Sequence, residues 1–196
     1  ERGAIVKTVS QSRILDRMAA DLGLPVRETP IGFKYVADEI LAGDVMVGGE
    51  ESGGFGIRGF VPERDGVLAG LLLVEAVTAS GLAPSALVDD LQRRYGPLHY
   101  DRRDLRVPPA EGLAVVSAIA TDPPGRLAGD TVTAVTTIDG TKLSLADESW
   151  LLLRQSGTEP ALRVYSEATS EAKRDALLEA GIAMVAERRE AADGRG

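Results

Sequence analysis

The stretch Asp44-Val-Met-Val-Gly-Gly-Glu-Glu-Ser-Gly-Gly-Phe-Gly56 is a short β-branched strand, Asp44 to Val47, that runs directly into a glycine-rich acidic loop. Layered α/β sheets place their ligand contacts on loops of this kind, at the carboxyl ends of strands. Upstream, Ala4-Ile-Val-Lys-Thr-Val9 reads as another strand. Ser10 stands where it can cap a helix in which Ile14, Leu15, Met18 and Leu22 recur at helical spacing, and Gly23 ends that helix. Val26 to Thr29 is a further short strand, and Phe33 to Leu41 a second helix with Val36, Ile40 and Leu41 on one face. Downstream, Asp65 to Ser80 is helical and carries Val67, Leu68, Leu71, Leu72 and Val74. A helix so apolar is expected to be buried on most sides. Pro84 to Tyr95 follows, with Pro84 in the first turn and Gly96 just past the end. The alternation of strands and helices specifies an α/β layered domain, a mixed sheet with flanking helices.

After Tyr95 the pattern changes. Leu98 to Val107 alternates as an exposed strand does, and Pro108-Pro109 closes it and starts a short helix through Ile119. Pro123-Pro124-Gly125 is a loop. Strands follow at Thr131–Ile138, Lys142–Leu145, Trp150–Leu153 and Ala161–Glu167, the first pair joined through the turn signal Asp139-Gly140. A terminal helix from Ser170 to about Glu190 buries Leu177, Met184 and Val185, and the polar tail after Arg189 is expected to fray. This is a small α+β domain with an antiparallel sheet. The boundary near Pro97 divides the chain into residues 1–97 and 98–196.

The chain has 196 residues, with 22 Lys+Arg against 30 Asp+Glu and a formal net charge of −8. That field repels nucleic acid and anionic membranes, so an anionic ligand requires locally concentrated cations. The absence of cysteine excludes a disulfide framework, a thiolate metal site and a cysteine nucleophile, and fits a reducing cytoplasm. No apolar run approaches the roughly 20 residues that span a bilayer, and nothing reads as a signal peptide. The sequence opens at Glu1-Arg2-Gly3 and enters a strand at once, as expected of a fragment.

One segment concentrates cations. Arg154-Gln-Ser-Gly-Thr-Glu-Pro-Ala-Leu-Arg163 is a polar turn between two apolar strands, with an arginine at each end. A guanidinium pairs bidentately with phosphate oxygens. Ser156 and Thr158 supply hydroxyl donors, and Gly157 lets backbone N–H groups converge. The plain alternative is a polar turn in which Arg154 pairs with Glu159. The return of a second arginine, Arg163, favours phosphate binding.

The loop Gly49-Glu-Glu-Ser-Gly-Gly54 lacks the lysine and following helix of a Walker-type loop, and adjacent glutamates repel phosphate. Carboxylates with a serine on a flexible loop suit hydrogen bonding to vicinal sugar hydroxyls. The bland alternative is a glycine-rich connection with solvated charges.

Together the two segments resemble the α-D-phosphohexomutases, the phosphoglucomutase/phosphomannomutase family. Gly49-Glu-Glu-Ser-Gly53 is similar to the sugar-binding loop of that family's third domain. Arg154-Gln-Ser-Gly-Thr-Glu-Pro160 with Arg163 is similar to the phosphate-binding loop of its fourth. Lys7 in Ile5-Val-Lys-Thr8, Thr29-Pro-Ile-Gly-Phe-Lys34 and Pro62-Glu-Arg-Asp-Gly66 match further positions in order, so the resemblance covers nearly the whole chain.

The resemblance implies domains three and four of a four-domain enzyme that interconverts hexose 1-phosphate and hexose 6-phosphate. A phosphoserine in domain one gives its phosphoryl group to the sugar, a hexose 1,6-bisphosphate forms and turns over, and Mg2+ held by domain two assists. Neither a Ser-His-Asn segment nor an aspartate-rich metal loop is present, so the chain alone is expected to be inactive. The resemblance assigns Glu50 and Ser52 to sugar hydroxyls, and Arg154, Ser156, Gly157, Thr158 and Arg163 to the phosphate distal to the reacting end. It places Lys7 near the reacting centre as the candidate catalytic residue; the plain alternative is a surface lysine at a strand end. Some relatives carry a histidine where this chain has Gly54, which argues for the glucose branch, with mannose phosphates second. Lys34 and Arg58 can add positive potential, Asp65 caps the long helix, and His99 lies on an exposed strand away from the chemistry. The partners implied are a phosphorylated hexose and the missing N-terminal domains. A non-catalytic sugar-phosphate-binding module, or one subunit of a split enzyme, is the alternative.

Overall fold

A computed structural model describes residues 2–193. The chain divides into two compact units, Glu1–Pro97 and Leu98–Gly196.

The first unit runs β1 (Ala4–Thr8), α1 (Ile14–Leu22), β2 (Val26–Thr29), α2 (Phe33–Ala42), β3 (Val45–Gly49), β4 (Phe55–Ile57), α3 (Gly66–Ser80) and α4 (Pro84–Tyr95). Its sheet has the order β2-β1-β3-β4, with β1 parallel to β2 and β3, and β4 antiparallel to β3. Ala4 and Val6 of β1 and Val45 of β3 pack on Phe33 and Val36 of α2, with Ala37 and Ile40 at the rim. One face of the sheet is therefore closed by an amphipathic helix whose apolar stripe fits it.

Several local expectations are corrected. Ser10 does not cap α1. Arg13 holds the N-cap position without a side-chain cap, and Ser12 Oγ accepts from the Ile14 N–H at 3.1 Å. The third strand is shifted to Val45–Gly49, because Asp44 takes a positive φ of 59° and stands outside the extended run. The acidic loop is the tip of a hairpin, since Phe55–Ile57 pairs back on β3. The largest correction concerns α3, none of whose residues is buried; Val67 is 76% exposed. Apolar composition creates a demand for burial but does not supply the surface that meets it. Asp65 caps α3 as expected, accepting from the Val67 and Leu68 N–H groups at 2.9 and 3.0 Å.

The second unit runs β5 (His99–Arg106), α5 (Pro109–Thr121), β6 (Arg126–Leu127), β7 (Asp130–Thr136), β8 (Thr141–Leu145), β9 (Trp150–Gln155), β10 (Ala161–Ala168) and α6 (Glu171–Asp193). The strands form one antiparallel sheet in the order β5-β10-β9-β8-β7-β6. Leu143, Leu145, Leu151, Leu153, Leu162 and Val164 face Val115, Val116 and Ile119 of α5 and Leu177, Leu178 and Val185 of α6. Each such side chain taken fully from water contributes about 1.5–3 kcal/mol. Met184 is only half-buried at the margin of this core. The two-residue strand β6, too short to show a pattern, pairs with β7. The terminal helix continues to Asp193, past the expected end near Glu190, and residues 194–196 of the expected fraying tail lie outside the described residues. Among the described residues no single helix is long and apolar enough to cross a membrane.

Candidate functional site

In the first unit the acidic hairpin tip is built by local hydrogen bonds. The Gly53 N–H donates to the Glu50 carbonyl at 3.0 Å, and the Glu50 N–H donates to the Gly54 carbonyl at 2.9 Å. Gly53 takes φ 92°, a conformation that side-chain-bearing residues resist, and this closes a three-residue hairpin loop. The tip projects from the end of β3, where Lys7 of β1 stands in register with Gly49.

The Glu50 side chain is nearly buried, and its Oε2 lies 3.4 Å from Arg64 Nη1. Burial pushes the Glu50 carboxyl above the usual carboxylate range. Arg64 and the Gly32 N–H pull it down, while the neighbouring Glu51 charge pushes the same way as burial. Ser52 is exposed at the tip. Arg64, which the sequence reading did not assign, therefore belongs beside the acceptor pair. The available signal was a cation within Pro62-Glu-Arg-Asp-Gly66, shortly after an acidic loop.

Lys7 is not a surface lysine. It is 1% exposed, its ammonium is ion-paired with Asp16 of α1, and Glu28 Oε1 lies 4.0 Å away. The two carboxylates hold the Lys7 ammonium in place at the carboxyl end of β1. Lys34 is exposed, with its ammonium 4.7 Å from the Tyr35 ring centroid. Arg58 donates to the Val45 carbonyl at 2.9 Å and the Arg2 carbonyl at 3.2 Å, at the opposite end of the strands from the acidic tip, and is thereby removed from the site.

In the second unit Arg154 and Arg163 face each other across β9 and β10. Arg154 Nε donates to Asp139 Oδ2 at 2.7 Å. Glu159 is the partner of Arg163, at 2.7 Å, and not of Arg154 as the polar-turn alternative had it. Asp139 is brought to Arg154 by the Asp139-Gly140 turn. A Cβ on Gly140 would meet the Leu153 carbonyl at 2.3 Å, so glycine is required there.

Arg163 Nε is buried with no acceptor at hydrogen-bond distance, and Asp104 Oδ2 on the neighbouring strand β5 lies 3.8 Å from it. An orphaned guanidinium N–H is costly unless something accepts from it. Beside it, the buried Ser156 Oγ lies 3.4 and 3.3 Å from the Thr158 and Glu159 N–H groups and accepts from both. Gln155 Nε2 braces the same turn by donating to the Ser156 and Glu159 carbonyls, each at 3.2 Å. Gly157 and Thr158 are exposed at the tip, and a Cβ on Gly157 would meet nothing within 4 Å. Gly157 therefore leaves the approach open. The turn brings together two guanidiniums, the open backbone at Gly157 and the hydroxyls of Ser156 and Thr158, groups of the kind that bind an oxyanion.

A hollow of about 290 Å3 next to Arg154 is walled by Leu113, Val116, Ala120 and Asp139. Arg154, Ser117, Thr137 and Gln155 also line it. The His99 imidazole lies on β5 with Nδ1 3.8 Å from Glu171, apart from these groups. Among the described residues, no group of three or more His, Cys, Asp or Glu side chains can hold a metal ion.

Residues 1–95 match the family profile described as phosphoglucomutase/phosphomannomutase, alpha/beta/alpha domain III, and residues 105–184 match that family's C-terminal domain. A phosphoglucomutase/phosphomannomutase of Thermococcus kodakarensis is 36% identical over 185 residues, 94% of this chain and 38% of the relative. A phosphoglucomutase of Komagataeibacter xylinus is 33% identical, over 85% of this chain and 32% of its own length. Among solved structures, a Thermus thermophilus protein provisionally assigned as a phosphomannomutase is similar at TM-score 0.75 and 37% identity. That match covers 94% of this chain and 36% of the other. The chain thus spans little more than a third of the length of the relatives it matches.

Proposed function

The chain belongs to the phosphoglucomutase/phosphomannomutase family, and on that premise we propose that it is the substrate-gripping part of a hexose-phosphate mutase, acting on glucose phosphates first and mannose phosphates second. The observation that carries the reading is the cross-strand pairing of Arg154 with Arg163. Two guanidiniums set side by side next to the exposed Gly157–Thr158 tip present N–H donors that one phosphate could bridge.

In this reading Arg154, Arg163, Ser156, Thr158 and the backbone at Gly157 hold the phosphate that does not react. Charge-assisted forks fix its orientation as well as its affinity. Glu50 and Ser52 accept and donate to the sugar hydroxyls. Lys7, held by Asp16 and Glu28, is the candidate to meet the transferring phosphoryl group, where charge stabilisation and positioning make up nearly all of the catalysis. Without a sufficient donor cluster among the described residues, no step here is assigned to a metal. The nucleophilic serine and the magnesium ligands would come from the part of the relatives' length that this chain does not span.

The test is turnover of glucose 1-phosphate to glucose 6-phosphate with magnesium and glucose 1,6-bisphosphate. The full-length protein is expected to turn over and to lose activity when Arg154 is replaced by Ala; the 196-residue chain alone is expected to be silent. Turnover by this chain alone would show that the essential groups are present in it. Binding of glucose 6-phosphate with no turnover by the full-length protein would favour a non-catalytic module.

A further inference from the structure

Glu50 and Glu51 are adjacent in sequence but their side chains go to different partners. Glu50 meets Arg64. Glu51 Oε2 accepts from Ser10 Oγ at 2.7 Å and from Thr8 Oγ1 at 3.3 Å, groups 41 and 43 residues away. Both hydroxyls are buried, and they lie 3.3 Å from each other. A merely solvated glutamate has no reason to seek two buried hydroxyls, whereas a carboxylate accepting from them gains charge-assisted bonds.

We infer that Glu51 is a positioning residue, a latch that fixes the acidic hairpin tip to the carboxyl end of β1. The inference rests on the reading of Glu50 and Ser52 as sugar contacts. The tip is already stiffened by its own bonds between Glu50, Gly53 and Gly54, so a single anchor is enough to orient it. The anchor point follows Lys7 immediately in the chain, at Thr8 and Ser10. Glu51 thereby sets the spacing between the sugar acceptors and the buried lysine, and touches neither substrate nor reacting atoms. Loss of the carboxylate leaves Thr8 and Ser10 able to bond each other, so the fold survives its removal.

The experiment uses the full-length protein with glucose 1-phosphate as probe. Glu51→Ala is expected to raise KM about tenfold with kcat nearly unchanged, because the lost grip is common to ground and transition state. Ser10→Ala should match it, and the Ser10→Ala/Glu51→Ala pair should be no worse than either alone. Glu51→Gln, which keeps an acceptor, should restore KM to within about threefold. Multiplying effects in the double variant, or an unchanged KM in Glu51→Ala, overturns the latch. Amide exchange at residues 49–54 without ligand separates this from the mutase reading. It should rise about tenfold in Glu51→Ala whether or not the protein is a mutase, and unchanged exchange refutes the latch. An inactive wild type with faster exchange in the variant would refute the mutase reading and leave the latch standing.

Discussion

Arg154 and Arg163 stand directly opposite each other on β9 and β10; Asp139 holds Arg154 and Glu159 holds Arg163, each at 2.7 Å, with Asp104 3.8 Å from Arg163 as well. Like charges across a strand pair destabilise a sheet, so both arginines need counter-charges. A phosphate would serve both at once. Arg154→Ala or Arg163→Ala is expected to weaken glucose 6-phosphate binding by about ten- to a hundredfold, the range for a lost hydrogen bond to a charged group. Arg163→Lys keeps the charge and loses the fork, and should still lose about tenfold. Calorimetric titration decides this; affinities within about twofold of wild type would sink the phosphate-loop assignment.

Glu159 is the weaker of the two guards. Its side chain is 59% exposed, against 23% for Asp139, and an exposed ion pair is worth about 0.2–1 kcal/mol. Glu159→Gln removes a competitor for Arg163, so inorganic phosphate should bind about threefold more tightly. Weaker binding by this variant would mean that Glu159 orders the loop more than it competes.

For Glu50, burial first and the Glu51 charge next place the folded-state carboxyl above its unfolded value. The folded state then holds the proton more tightly. Its relative stability is fullest below the unfolded value and declines as pH rises through the folded one. Glu50→Gln should therefore leave the first unit as stable as wild type or slightly more so at pH 7, by less than about 1 kcal/mol. The difference should vanish near pH 3, while sugar-phosphate affinity falls. Urea unfolding at the two pH values checks the sign; a variant less stable than wild type at pH 7 contradicts it.

What the sequence made legible was what neighbours along the chain decide. The runs Trp150 to Leu153 and Ala161 to Glu167 are apolar and bounded by turn residues, so they announce themselves as core strands. Asp139-Gly140 predicts its turn because Gly140 takes φ 85°. Legibility ended where a partner lies far away in sequence. Phe55–Ile57 is a strand only because β3 offers it hydrogen bonds, and Ser10, four residues before the helix begins, turns its hydroxyl to Glu51 instead. Glu159 pairs with Arg163 because β10 brings that arginine back beside the tip, while the Asp139 turn takes Arg154. Residue types named the chemistry of both loops, and only coordinates could say which acid guards which base.

The exposure of α3 separates composition from environment. Val67, Leu71 and Val74 are 76%, 63% and 64% exposed, although the helix is apolar on every side. Replacing each singly by Glu is expected to change the unfolding free energy of this chain by no more than about 0.5 kcal/mol, as for surface sites. The triple variant should bind less of a hydrophobic dye. A loss above about 2 kcal/mol at any one site would mean that the site is buried in solution.

Asp147 ties the turn between β8 and β9 to α6, and Lys173 joins it to Asp130 of β7. Lys173 Nζ lies 2.6 Å from both carboxylates, and Ser149 Oγ donates to Asp147 at 3.0 Å. Burial works against the charged form of Asp147, but the bonds from Lys173 and Ser149 outweigh it and hold the carboxyl below its ordinary value. A lowered folded-state value means that the stabilisation is present above the unfolded value and is lost as pH falls through the folded one. Lys173 is shifted the other way, since its two carboxylates outweigh the effect of burial and raise it. Its contribution is complete below the unfolded lysine value and fades only in strong alkali. The network is therefore fully formed at neutral pH and fails on the acid side first. Lys173→Met should cost about 1 kcal/mol at pH 7, the upper end for partly exposed pairs, and the gap from wild type should close as pH drops below about 3. Denaturant midpoints measured from pH 7 to pH 2 test this, and a gap that stays constant across the range would show that Lys173 acts by packing its stem and not by its charge.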